Sequence, residues 1–104
     1  MVIGVPKEIK EDEYRVALVP AGAAALKQAG HAVLVQSSAG VGSNIPDRDY
    51  AQAGAEIVAS PKEIYRRAHL ILKVKEPLPE EYPHLRPGQI LFTFFHFAAN
   101  KGLA

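Results

Sequence analysis

Short apolar runs alternate with helix-length segments along the whole chain, and this tempo constrains the fold more than any other feature. Val2-Ile3-Gly4-Val5, Ala32-Val33-Leu34-Val35, Ala55-Glu56-Ile57-Val58, Leu70-Ile71-Leu72-Lys73-Val74 and Ile90-Leu91-Phe92-Thr93-Phe94-Phe95 are β-branched or aromatic runs of strand length. Between them the helix signals are local. Pro20 fits a first helical turn, residues 21–28 are rich in good helix formers, and Gly30 supplies a left-handed stop. Residues 47–53 followed by Gly54 repeat that grammar in a shorter helix. Ser60-Pro61-Lys62-Glu63 reads as a capping box: the Ser60 hydroxyl accepts from the Glu63 amide, the Glu63 carboxylate reaches back, and a third helix runs on to about Arg67. Strand and helix in alternation imply right-handed crossovers and a mainly parallel sheet covered on both faces. The expected fold is therefore three-layer, doubly wound α/β, of the Rossmann or flavodoxin type.

A chain of 104 residues has room for one such domain. Twelve Lys and Arg against 11 Asp and Glu leave a formal charge of +1, without the basic excess that draws proteins to phosphate backbones or anionic lipid. Neither nucleic acid nor a membrane is an expected partner. No apolar run approaches the roughly 18–20 residues of a spanning helix, and Pro6-Lys7-Glu8 follows the first strand at once where a signal sequence would continue, so a cytoplasmic location is expected. The absence of cysteine removes disulfide and thiolate chemistry, and the four histidines lack zinc-ligand spacing, so no metal is expected.

Residues 90–95 form the most apolar run, and such a run ordinarily has strand neighbours on both sides. Only nine residues follow Phe95, and Asn100-Lys101-Gly102-Leu103-Ala104 reads as a helix that starts without finishing. The expectation is a domain over residues 1–104 whose sheet is incomplete at the carboxyl end, with an apolar edge that self-associates or takes a partner.

In a parallel sheet every strand ends on the same edge, and ligands bind outside those carboxyl ends. Position therefore screens the candidates. Arg15 lies on the loop leaving the first strand, Lys75 follows the fourth and His96 follows the fifth. Together they suit a small oxo-acid: Arg15 can clamp a carboxylate through two parallel hydrogen bonds, Lys75 can polarise a carbonyl or hold a carboxylate, and His96 can move a proton near neutral pH. Each also has a plainer reading. Arg15 could balance the acidic segment Glu11-Asp12-Glu13, Lys75 could pair with Glu76 at the surface, and His96 could be a hydrogen-bonded core histidine among Phe94, Phe95 and Phe97. Convergence on one edge favours a site. His31, His69 and His84 lack such placement and read as structural. Gly40-Val41-Gly42-Ser43 begins like a dinucleotide fingerprint, but Ile45 stands at the third small position and Pro46 prevents a helix from starting at the glycines. It reads as a tight strand exit, with no cofactor-binding residue in this chain.

These residues also carry a family resemblance. The 1–8 segment, Arg15-Val16-Ala17-Leu18 with Pro20, Gly40-Val41-Gly42-Ser43, Ala53-Gly54-Ala55, Leu72-Lys73-Val74-Lys75-Glu76-Pro77 and Phe92-Thr93-Phe94-Phe95-His96 resemble the amino-terminal, substrate-binding domain of alanine dehydrogenases, from end to end. The wider family includes the alpha subunit of the proton-translocating nicotinamide nucleotide transhydrogenase, whose members typically lack the lysine and histidine found here at Lys75 and His96. The resemblance implies reversible oxidative deamination of L-alanine to pyruvate and ammonia with NAD. It gives Arg15 and Lys75 the role of binding substrate and His96 that of catalytic acid/base. It places every NAD contact, and a catalytic aspartate, in a cofactor domain outside this chain, so that the chain alone is expected to be inactive and to pair with a separate NAD domain. Full-length relatives are oligomers. The alternative is a non-catalytic domain of the transhydrogenase type or a stand-alone binding module; a small-molecule regulatory domain rests on fold analogy alone.

Overall fold

Each of the five apolar runs forms a strand in the computed structural model, which describes residues 1–9, 13–75 and 77–93. The strands are β1 (Val2–Val5), β2 (Ala32–Gln36), β3 (Glu56–Val58), β4 (Leu70–Lys73) and β5 (Ile90–Thr93). They pair in parallel throughout, in the order β3-β2-β1-β4-β5. The chain lays down β1, adds β2 and β3 on one side, then crosses to the other side for β4 and β5. This is the doubly wound fold that the strand and helix tempo implies.

The helices are α1 (Pro20–Gln28), α2 (Asp47–Gln52) and α3 (Pro61–Arg67). Gly30 and Gly54 close the first two with φ of +98° and +97°, a backbone state that costs glycine nothing and other residues a Cβ clash. The start of α3 differs from the capping box. Ser60 Oγ accepts from the Lys62 amide at 3.1 Å, and the Glu63 carboxylate turns outward to take both donors of Arg66, each at 2.9 Å. An arginine one turn along the helix offers Glu63 two charged donors, which outcompete a single backbone amide.

Both faces of the sheet's centre are covered, which explains why β1 and β2 are continuously apolar instead of alternating. Val5, Val33 and Val35 pack with Ala23 of α1 and Tyr50 of α2. Leu34 and Ile71 face the other way, against Ile64, Tyr65 and Ala68 at α3. Tyr50 is fully buried, and its hydroxyl donates to the Leu18 carbonyl at 2.6 Å, tying α2 to the β1–α1 loop. Burial and the Asp47 charge push its pKa up to about 12.

The three described histidines have structural roles. His69 Nδ1 accepts from the Val2 amide at 2.8 Å, His31 Nδ1 lies 3.3 Å from the amino terminus, and His84 stacks on Tyr65. β5 stands at the sheet edge among the described residues, with Ile90 and Phe92 more than half exposed. His96 and the remainder of the 90–95 run lie outside the described residues. No helix among the described residues is long and apolar enough to cross a membrane, and no group of three metal-ligating side chains occurs among them.

Gly4 lies in the central strand, where α3 approaches closely. A Cβ there would sit 2.7 Å from Ile64 Cγ2 and 2.9 Å from the Ala68 Cβ. Gly4→Val should cost about 1–3 kcal/mol through overpacking, seen as a lower urea midpoint with an unchanged slope.

Candidate functional site

The direction of strand addition reverses at β1, so the crevice of a doubly wound sheet opens where the β1 and β4 exits stand side by side. A cleft of about 370 Å³ opens at the β1 exit, lined by Lys7, Glu8, Glu13, Tyr14, Arg15, Ala39, Val41 and Gly42. Arg15 is thus on its wall. Lys75 follows the tip of β4 and is close enough for its charge to act on Glu13. The structure therefore brings two of the three candidates to one region.

Below the cleft lies a buried ionic cluster that sequence reasoning missed. Lys73, 1% exposed at the end of β4, places its Nζ 3.2 Å from Glu8 Oε1 and 3.1 Å from Glu81 Oε2. The Glu8 carboxylate also accepts from the backbone amides of Val74 at 3.0 Å and Lys75 at 3.3 Å. Glu81 belongs to the 3-10 segment Pro79–His84; it accepts from the Tyr65 hydroxyl at 3.0 Å and the Leu78 amide at 3.0 Å. Burial, then the Glu81 charge, raise the Tyr65 pKa well above its ordinary value, so the hydroxyl stays protonated as a donor. The signal available in the sequence was a lysine within an apolar strand, since a charge so placed must find buried partners.

The Arg15 loop is seated by the glycines that resemble half a fingerprint. A Cβ on Gly42 would lie 2.7 Å from the Tyr14 carbonyl oxygen, and Ser43 Oγ donates to that same oxygen at 3.0 Å. A Cβ on Gly40 would meet Ile45 and Tyr50. The space that a pyrophosphate would need at these glycines is filled by the protein's own loop, and the segment Val41–Ser43 is a 3-10 turn. Gly40 to Ser43 therefore do not fit a dinucleotide; they form the platform on which Tyr14 and Arg15 rest.

Arg15 itself is paired. Its Nε and Nη2 donate to the two Glu13 oxygens at 2.9 and 2.8 Å, and its backbone amide donates to Oε2 at 3.0 Å. The charge-balance reading of Arg15 thus holds locally, with Glu13 as the partner. The exposures separate the roles: the Glu13 side chain is 3% exposed and the Arg15 side chain 53%, so the carboxylate is the anchor and the guanidinium stands in the open cleft. Arg15's hydrogen bonds, assisted by the Arg15 and Lys75 charges and opposed by burial, lower the Glu13 pKa. A carboxyl whose folded pKa is depressed stabilises the fold above its unfolded pKa and loses that contribution as pH falls through the folded value.

A doubly wound α/β domain with a charge-lined cleft at its switch point is the class these features define. The chain belongs to the family of alanine dehydrogenase/PNT amino-terminal domains, whose sequence pattern matches residues 4–104. It is 54% identical over its whole length to an alanine dehydrogenase of Bacillus subtilis, of which it spans 27%. Among solved structures, an L-alanine dehydrogenase superimposes over 99% of this chain with a TM-score of 0.90 at 48% identity, the chain spanning 28% of it. The transhydrogenase from Sinorhizobium meliloti superimposes over 98%, with a TM-score of 0.87 at 31% identity and 29% of its length spanned.

Two outcomes test this geometry. Lys73→Met keeps the volume but leaves two carboxylates facing each other in the interior, and should cost about 3–5 kcal/mol at neutral pH in urea unfolding. The stability difference between the parent and Glu13→Gln should be constant above about pH 5 and shrink as pH falls below the ordinary glutamate value of 4.5, through Glu13's lowered pKa.

Proposed function

We propose that this domain forms the substrate side of an alanine dehydrogenase, an oxidoreductase that converts L-alanine, NAD and water to pyruvate, ammonia and NADH. Membership of the family supports the enzyme class. The observation that carries the site is the Arg15–Glu13 fork with Lys75 beside it, because a carboxylate already sits where two cations act together. A small oxo-acid brings a carboxylate of the same kind to the exposed side of this guanidinium, which Glu13 holds in place. Arg15 takes its carboxylate, Lys75 polarises its carbonyl or shares the carboxylate, and His96 moves the proton that interconversion of amine, hydroxylated intermediate and ketone requires. NAD is held outside residues 1–104 in the whole enzyme, a reading supported by relatives nearly four times as long and by the filled glycine platform. Lined by Lys7, Glu8, Glu13 and Arg15, the cleft also suits a cytoplasmic enzyme; the exposed β5 suits an interface with the rest of the protein or with another copy.

Titrating pyruvate into the chain should move amide signals around Arg15 and Lys75 and leave those of α2 and β3 in place. No response at any attainable concentration would favour a non-catalytic domain of the transhydrogenase type. In an enzyme reconstituted with a separate NAD domain, Lys75→Ala or His96→Ala should reduce turnover at least about a hundredfold, the usual scale for losing a general acid/base or its equivalent. Unchanged rates would refute the assignment of those two residues.

A further inference from the structure

Glu8 does two things at once. It lines the cleft, and its carboxylate is buried, with the side chain 2% exposed. Among the described residues, donors surround its oxygens: Lys73 Nζ at 3.2 Å, the Val74 amide at 3.0 Å and the Lys75 amide at 3.3 Å. The last two are the first backbone amides beyond β4, on the turn from which the Lys75 side chain departs. A free strand end would leave these amides to water and the turn to fluctuate. Here a carboxylate from the neighbouring strand's exit grips them, and Lys73 holds that carboxylate in turn.

We propose that Glu8 is the positioning residue for Lys75: by fixing the Val74 and Lys75 amides to the exit of β1, it sets where the Lys75 ammonium stands relative to Arg15 across the switch-point crevice. The two cations are carried by different loops, Arg15 on the one leaving β1 and Lys75 on the one leaving β4. Glu8 joins these loops directly and also acts on Arg15 through its charge. The inference rests on the substrate role proposed for Lys75 and adds what makes that role geometrically possible. Glu81, on the far side of Lys73, holds the 79–84 segment and touches neither loop amide. It is therefore the internal control for mere stability.

The experiment compares Glu8→Gln and Glu81→Gln in the full chain, with pyruvate as the probe. A glutamine at position 8 must turn an NH2 toward a donor, so at least one of the three bonds is lost. Expected for Glu8→Gln are changed Val74 and Lys75 amide shifts and about tenfold weaker pyruvate binding, the scale of one charged hydrogen bond. Glu81→Gln should lower the melting temperature yet leave pyruvate affinity within about twofold, inside the usual additivity error of distant sites. In a Lys75→Ala background the Glu8→Gln effect on affinity should vanish, because the residue acts through Lys75. Glu8→Asp, which keeps the charge but retracts it by one methylene, gives the same split in milder form should Glu8→Gln fail to fold. Equal weakening by Glu81→Gln, full additivity with Lys75→Ala, or unmoved Val74 and Lys75 amides would each overturn the positioning role. If Lys75→Ala alone leaves pyruvate binding unchanged, or the parent chain does not respond to pyruvate, the underlying substrate assignment fails instead.

Discussion

The fold depends on one amine. Lys73 ends the strand beside the central one, with its ammonium out of water and shared between Glu8 and Glu81. An unpaired charge in that position would cost several kcal/mol, so the surrounding chain must deliver both carboxylates to the same point. Glu8 can arrive only if the β1 exit lies against the β4 exit, and Glu81 only if the 79–84 segment folds down over α3. The cluster thus converts a sheet topology, which hydrophobic burial specifies loosely, into a fixed relation between two loops. That relation matters because a doubly wound sheet offers its crevice at those loops and nowhere else along the described edge.

A second set of contacts performs the same task for the other cation. Tyr50 reaches from α2 to the Leu18 carbonyl, Ser43 donates to the Tyr14 carbonyl, and Gly42 makes room for that carbonyl to approach. All three act on backbone, so they fix the path of the loop while leaving the Arg15 side chain to Glu13. The guanidinium is then oriented by a fork, the geometry in which arginine differs most from lysine. Preorganisation of this kind lets a small ligand meet charges that are already aimed, without first ordering them.

Much of the fold was legible because its signals are local. Proline at a first helical turn and glycine at a helix stop act within four residues, and the helices from Pro20 and Asp47 ended where Gly30 and Gly54 require. Five apolar runs form five strands, and in β1 and β2 burial on both faces accounts for the unbroken run. The capping box at Ser60 was misread because Arg66, one turn away, competes for Glu63. The site was legible only as a position on an edge. Arg15 and Lys75 came out near one another, His96 lies outside the described residues, and the partners that hold the first two are non-local. Glu8 meets Lys73 across 65 positions of chain, and no periodicity encodes such a pair.

The glycines show why spacing alone does not carry function. Gly40 and Gly42 follow a parallel strand, where a dinucleotide fold would have them, and both are required for a close approach to something. What approaches is Tyr14 at one and Ile45 with Tyr50 at the other. The physical demand on the residue, no Cβ, is identical whether the visitor is a phosphate or the protein's own loop. The distinguishing fact lies outside the motif: Pro46 prevents a helix from opening at the glycines, so no row of free amides faces outward, and the space closes on the loop that carries Arg15. A segment built like half a cofactor site thereby becomes support for the loop that carries Arg15. In this domain the same cleft edge that could have held a nucleotide holds the means of aiming a cation.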